Sequence, residues 1–291
     1  MFVRQMLADP KVASVSERRV RGGAKRALGE HWPEYLIEAT CLGLFMLSAC
    51  TFTVLLQHPA SPIRSAVANP GLRRFLTGVM MGSTAIALIY SPIGRRSGAH
   101  MNPAITLTFF RLGKVEHWDA LFYAAAQFIG GVAGSALAFL IFRSVLFYPN
   151  VNFAATMPGM GGVLLALAAE IAISFLMMTT VLWFSNTPRL ARYTGLAAGA
   201  LVMLFITFEG PLSGMSMNPA RSFASDFVGM QWNAIWIYFV GPILGMLIAA
   251  EVYVRRRGRY GVACAKLNHA AGARCIFRCG YIKKQAMTQV A

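Results

Sequence analysis

The sequence is poor in charge and poorer still in acid. Only 13% of its 291 residues are charged, with 11 Asp and Glu against 27 Lys and Arg. With 56% hydrophobic residues and a mean hydropathy of +0.54, that scarcity excludes an ordinary soluble domain of this length. Cysteine is also sparse and odd in number, five in all. Cys41 and Cys50 fall in one apolar run and Cys264, Cys275 and Cys279 in a basic tail, which argues against an extracellular disulfide framework. Few acids leave no His/Asp/Glu cluster of ligand spacing in an apolar segment, so neither an enzyme nor a cofactor is expected. Residues 1–33 carry Arg4, Lys11, Arg18, Arg19, Arg21, Lys25 and Arg26 without an apolar core of signal-peptide length. They are expected to stay on the chain as a basic arm.

What the sequence has in quantity is long apolar runs: 35–56, 72–91, 118–142, 162–184, 193–208 and 232–254. Each suits the ~20 residues that carry a helix across a bilayer, whereas a β-barrel would show short alternating segments. Two further apolar segments, 102–112 and 218–228, are too short. About 10 helical residues rise only ~15 Å, half the hydrocarbon thickness. They are expected to be half-helices that enter the membrane and turn back.

The two short segments share a pattern. Ser97-Gly98-Ala99-His100-Met101-Asn102-Pro103-Ala104 aligns without gaps on Ser213-Gly214-Met215-Ser216-Met217-Asn218-Pro219-Ala220, at an offset of 116. Glu38 and Glu170 fall in the first and fourth runs, and Gln127 with Gly130 mirrors Pro242 with Gly245. The chain therefore reads as two copies of three spans plus one half-helix, repeat 1 at about 34–143 and repeat 2 at about 162–256. An odd number of spans inverts the second copy relative to the first. The expected fold is all-α: six transmembrane helices and two re-entrant half-helices in an inverted repeat, with a tail at 257–291. Under this topology 22 of the 27 basic residues lie on the side of the termini and 5 opposite. The positive-inside rule then places both termini in the cytoplasm, in a cell (inner) membrane. Attraction to lipid headgroups accounts for the basic tails without a nucleic-acid partner.

In each short segment an Asn that can cap a helix precedes Pro at its first position. Inversion brings the starts at Asn102 and Asn218 together near the midplane, both positive dipole ends pointing at one place. Irregular backbone at that depth needs a polar cavity to line, so a pore is expected.

With its paired signatures, SGAHMNPAITL and SGMSMNPARSF, the chain resembles the major intrinsic protein family of aquaporins and glycerol facilitators over residues 34–256. The resemblance implies a homotetramer with one passive pore per subunit, carrying water and small neutral solutes and excluding protons and ions. It assigns Asn102, Pro103, Ala104, Asn218, Pro219 and Ala220 to the pore signatures, and Glu38 and Glu170 to holding the two loops. It also assigns Arg221, Met215, Ile206 and Gly82 to the selectivity filter. Gly82 with Ile206 implies a wide, apolar filter, whereas Ser222 and the pair Tyr238-Phe239 resemble water-type members, so glycerol, urea and metalloid acids stay open as solutes. The rival class is a proton- or ion-coupled transporter on the same plan, which would place a further exchangeable acid in the pathway.

Three features lie beside the motif. Gly130/Gly134, Gly195/Gly199 and Gly241/Gly245 suit close helix crossings. His100 is read as bracing its loop in preference to gating by pH. Cys264, His269, Cys275 and Cys279 could hold zinc, but C-x4-H-x5-C-x3-C is not a standard ligand pattern, so thiols without metal are the preferred reading.

Overall fold

The computed structural model describes residues 10–258, 261–269 and 274–280, with side chains from residue 23. Arg4 of the basic arm and Lys283 and Lys284 of the tail lie outside the described residues.

Eight principal helices follow one another: α1 (Pro10–Gln57), α2 (Pro70–Tyr90), α3 (Pro103–Arg111), α4 (His117–Phe142), α5 (Gly162–Ser185), α6 (Thr194–Phe208), α7 (Pro219–Gly229) and α8 (Ile237–Arg257). Among the described residues six helices are long and apolar enough to span a membrane, and α3 and α7 are the two short ones of the eight. The sixth span begins at Ile237 and not at residue 232, because residues 233–236 form a turn ahead of it. The expected boundary at residue 33 is also not a break in structure, since α1 runs through Pro33. That first part of α1 is anchored sideways: Asp119 of α4 accepts from the Tyr35 hydroxyl at 2.6 Å and lies 2.7 Å from His31 Nδ1.

The starts of the helices follow from cap chemistry. Asn69, Asn102 and Asn218 each precede a Pro and accept a hydrogen bond from a backbone N–H of the first turn. Proline there gives up an N–H that had no partner within the helix. Large apolar side chains such as Ile129, Leu140 and Leu164 point outward and are more than half exposed. That surface is costly in water and suited to lipid.

The repeats are visible in the packing. α1 crosses α4, and their counterparts α5 and α8 cross in the same way, while α2 packs on α6 between the copies. Each half-helix also reaches the other copy, α3 against α8 and α7 against α4. The paired glycines sit at these crossings. A Cβ on Gly130 would stand 2.0 Å from the Ala39 carbonyl oxygen, and one on Gly245 would stand 2.3 Å from that of Ile171.

Candidate functional site

The two loops that lead into α3 and α7 have backbone conformations that no isolated peptide would hold. Gly98 and Gly214 have φ of 104° and 83°, and Ala99, Met101, Met215 and Met217 have φ of 53°, 49°, 55° and 54°. For residues with a side chain these values are strained and must be held from outside. Fully buried carboxylates hold them. Glu38 accepts from the Ser97 hydroxyl at 2.7 Å, the N–H of His100 at 3.0 Å, the N–H of Met101 at 2.6 Å and Gln127 Nε2 at 2.8 Å. Glu170 accepts from the Ser213 hydroxyl and the N–H of Ser216, both at 2.7 Å, and from the N–H of Met217 at 2.8 Å.

The same symmetry fixes the flanks. Tyr123 donates to the Ser97 carbonyl at 2.7 Å and Tyr238 to that of Ser213 at 2.6 Å. His100 Nδ1 lies 3.0 Å from Thr106 Oγ1, where the other copy has Ser216 Oγ 2.6 Å from Ser222 Oγ. Tyr123 escaped the sequence reading and Tyr238 entered it only within the pair Tyr238-Phe239, although each stands four residues before a residue singled out there, Gln127 and Pro242.

Asn102 and Asn218 meet at the centre. Each side-chain oxygen caps its own half-helix, accepting from Ala104 at 2.9 Å and Ala220 at 3.1 Å. Each Nδ2 donates to the opposite loop, Asn102 to the Met217 carbonyl and Asn218 to the Met101 carbonyl, both at 2.7 Å. An amide nitrogen carries two hydrogens, so one remains on each. Both residues line a continuous cavity of about 370 Å³. One wall of it is apolar, with Leu42, Phe45, Met81, Val181 and Val202; the other is made by the two loops.

Of the four expected filter residues, Ile206, Met215 and Arg221 line this cavity. Arg221 Nη1 is buried without a hydrogen-bond acceptor among the described residues. Gly82 is a correction. A Cβ there would stand 2.5 Å from the Gly199 carbonyl oxygen, so Gly82 belongs to the contact between α2 and α6. The cavity face of α2 carries Thr77, Met81, Ala85 and Ile89, and Thr77 shares the mouth far from the termini with Ile206. Counting from a distant motif missed this face by part of a helical turn. The i, i+4, i+8 pattern headed by a threonine was the available signal.

His100 is fully engaged. Nε2 lies 2.8 Å from the Ala265 carbonyl, which can only accept, so Nε2 carries a proton, while Nδ1 faces Thr106 Oγ1 at 3.0 Å. The chain after α8 thus returns to the pore. There it also brings together Cys264, His269, Cys275 and Cys279, whose ligand atoms all lie within 4.8 Å of one another.

Six spans, two half-helices joined tip to tip and one cavity past their caps define a multi-pass membrane channel. The sequence profile of the major intrinsic protein family matches residues 29–253, and the chain belongs to that family. Aquaporin NIP1-3 of Oryza sativa subsp. japonica is 32% identical over 80% of this chain and 79% of its own length. Aquaporin NIP2-3 of Zea mays is 37% identical over 77% and 73%. Aquaporin NIP1-4 of the same rice is 35% identical over 65% of this chain, and the match spans 66% of that relative. Among solved structures, the aquaglyceroporin from Plasmodium falciparum shares the fold with a TM-score of 0.64, covering 77% of this chain and 96% of its own at 16% identity.

Proposed function

We propose that this chain passes water and small neutral solutes passively, glycerol among them, and excludes protons and ions. The observation that carries this reading is the reciprocal pair of hydrogen bonds from Asn102 to the Met217 carbonyl and from Asn218 to the Met101 carbonyl beside one cavity. It fixes two amide donors and two positive helix ends at one level, where they greet a solute oxygen and repel a cation. Hydroxyl-bearing solutes fit a passage with donors on one wall and apolar side chains on the other. Names of relatives, aquaporins on one side and an aquaglyceroporin on the other, agree with both water and glycerol. The basic residues support termini in the cytoplasm of a cell membrane, with lipid headgroups around them; the family resemblance supports a homotetramer.

Stopped-flow light scattering on proteoliposomes tests the reading. Fast shrinkage in an impermeant osmolyte, and fast re-swelling when glycerol replaces it, are expected without any ion gradient. Permeation that requires an ion gradient would instead establish the coupled transporter.

Two variants probe the filter. Arg221→Val removes a unit charge that at ~4 Å and an effective dielectric of ~20 opposes a cation by about 4 kcal/mol. Cation and proton leak, read with a trapped pH-sensitive dye and a K⁺ gradient, should rise by roughly 10²-fold or more while water flow persists. Unchanged ion exclusion would remove Arg221 from the filter. Thr77→Trp should bring glycerol re-swelling down to the rate of empty liposomes and leave osmotic shrinkage in place. Full glycerol flux would mean that α2 does not set the aperture.

A further inference from the structure

Beyond the pore, residues 261–269 and 274–280 cover its mouth on the side of the termini. The Leu267 N–H donates to the Gly98 carbonyl at 3.1 Å, and Leu267 borders the cavity. Phe277 stacks on the His100 ring at 5.3 Å and 9°. Lys266 is buried, its Nζ donating to the carbonyls of Arg95 at 2.9 Å and Arg274 at 2.6 Å. The symmetry of the repeats shows what this segment replaces. Gly214 is covered by Thr156 and Met157 of the loop between α4 and α5, whereas its counterpart Gly98 is covered by Lys266 and Phe277.

This cover has almost no regular secondary structure of its own. Segments so short need a staple to hold one shape. Cys264 Sγ lies 3.5 Å from Cys275 Sγ, and Cys279 Sγ lies 3.2 Å from His269 Nε2. The cysteines are free thiols, and 3.5 Å is far beyond the ~2.05 Å of a disulfide. A tetrahedral Zn²⁺ with Zn–S bonds of ~2.3 Å needs sulfur–sulfur edges of ~3.8 Å. With all four ligand atoms within 4.8 Å of one another, shifts of about 1 Å or less bring them to the separations that one such ion imposes.

We propose that Cys264, His269, Cys275 and Cys279 bind one Zn²⁺, and that the ion locks the tail over the pore mouth beside His100. Binding Zn²⁺ displaces three thiol protons and leaves a centre of net charge −1. The ammonium of Lys266, buried in the same segment and in electrostatic reach of Cys264, Cys275 and Cys279, balances it. Removal of the ion frees the cover and opens that mouth. The gating half rests on the channel reading above; the metal site does not.

The test uses the full chain purified under reducing conditions. Metal analysis should give one zinc per chain, and Co²⁺ titration should produce the intense sulfur-to-metal charge-transfer band of a thiolate site. Cys279→Ser and His269→Ala should each weaken Zn²⁺ affinity by roughly 100-fold or more, since each removes one ligand of four. Substoichiometric zinc with no charge-transfer band overturns the site. So does rapid Cys264–Cys275 disulfide formation that zinc fails to block, which would identify a redox pair. For the gate, a strong zinc chelator should raise water permeability of wild-type proteoliposomes to that of a variant ending at Gly258, which should itself be insensitive to Zn²⁺. Equal permeability of wild type with and without chelator overturns gating. If neither wild type nor the shortened variant conducts in any condition, the channel reading fails and gating with it, while metal content and the Co²⁺ band still decide the site.

Discussion

Replacing Gly130 by valine is expected to abolish assembly of the folded channel. The first added carbon would stand 2.0 Å from the Ala39 carbonyl oxygen and 2.4 Å from its Cα, and both are backbone atoms that no rotamer change can move aside. Overpacking in a core that can adjust costs about 1–3 kcal/mol. Here the adjustment open to the protein is to widen the crossing of α1 and α4. That crossing also carries Glu38 on α1 and Gln127 on α4, which bond to each other and hold the first loop. Valine at 130 therefore disturbs the packing and the pore together. Size-exclusion of the detergent-solubilised variant should show aggregate in place of a monodisperse peak, and proteoliposomes should shrink no faster than empty ones. Gly29→Ala is the control, since an added Cβ there meets nothing within 4 Å. It should leave flux unchanged and stabilise α1 by about 0.5–1 kcal/mol. A monodisperse, conducting Gly130→Val channel would refute the close-crossing account.

Glu170→Ala is expected to give the second largest loss. It leaves the Ser213 hydroxyl and the N–H groups of Ser216 and Met217 without their acceptor in a fully buried place. An unsatisfied buried donor costs about 1–3 kcal/mol. Three of them together are comparable with the ~5–15 kcal/mol that a folded protein has in total. Met215 and Met217 would lose what holds them at positive φ, and Asn218 would leave its bond to the Met101 carbonyl. Water permeability should fall to the rate of empty liposomes, and the thermal midpoint in detergent should drop by roughly 10–20 °C. Glu170→Gln, keeping one oxygen but turning an NH₂ toward donors, should fall between. Wild-type flux in Glu170→Ala would mean that the loop holds its shape without the carboxylate.

Much of the site was legible from the chain. The paired Asn-Pro-Ala signatures identified both half-helices because the cap and the proline act on neighbours two or three residues away. Glu38 and Glu170 were legible for a different reason: a carboxylate in an apolar span must find donors, and the family resemblance implied that the two loops supply them. Glycine pairs at four-residue spacing marked the crossings, but not which helix each one met. Gly82 was misplaced because it too is such a glycine, and composition does not distinguish a face turned to a pore from one turned to another helix.

The tail shows the same limit more sharply. Its ligands are separated by four, five and three residues, and that spacing has no helical or hairpin logic to announce a cluster. It is the return of the chain to Gly98, His100 and Arg95 that bends it so that four side chains converge. Local chemistry, capping, hydropathy and duplication, was determined by the sequence alone, since each depends on residues close together in the chain or on their mere count. The tertiary structure alone decided which amide bonds to which opposite loop, which face of α2 meets the cavity and what covers the mouth, because those depend on contacts between segments more than a hundred residues apart.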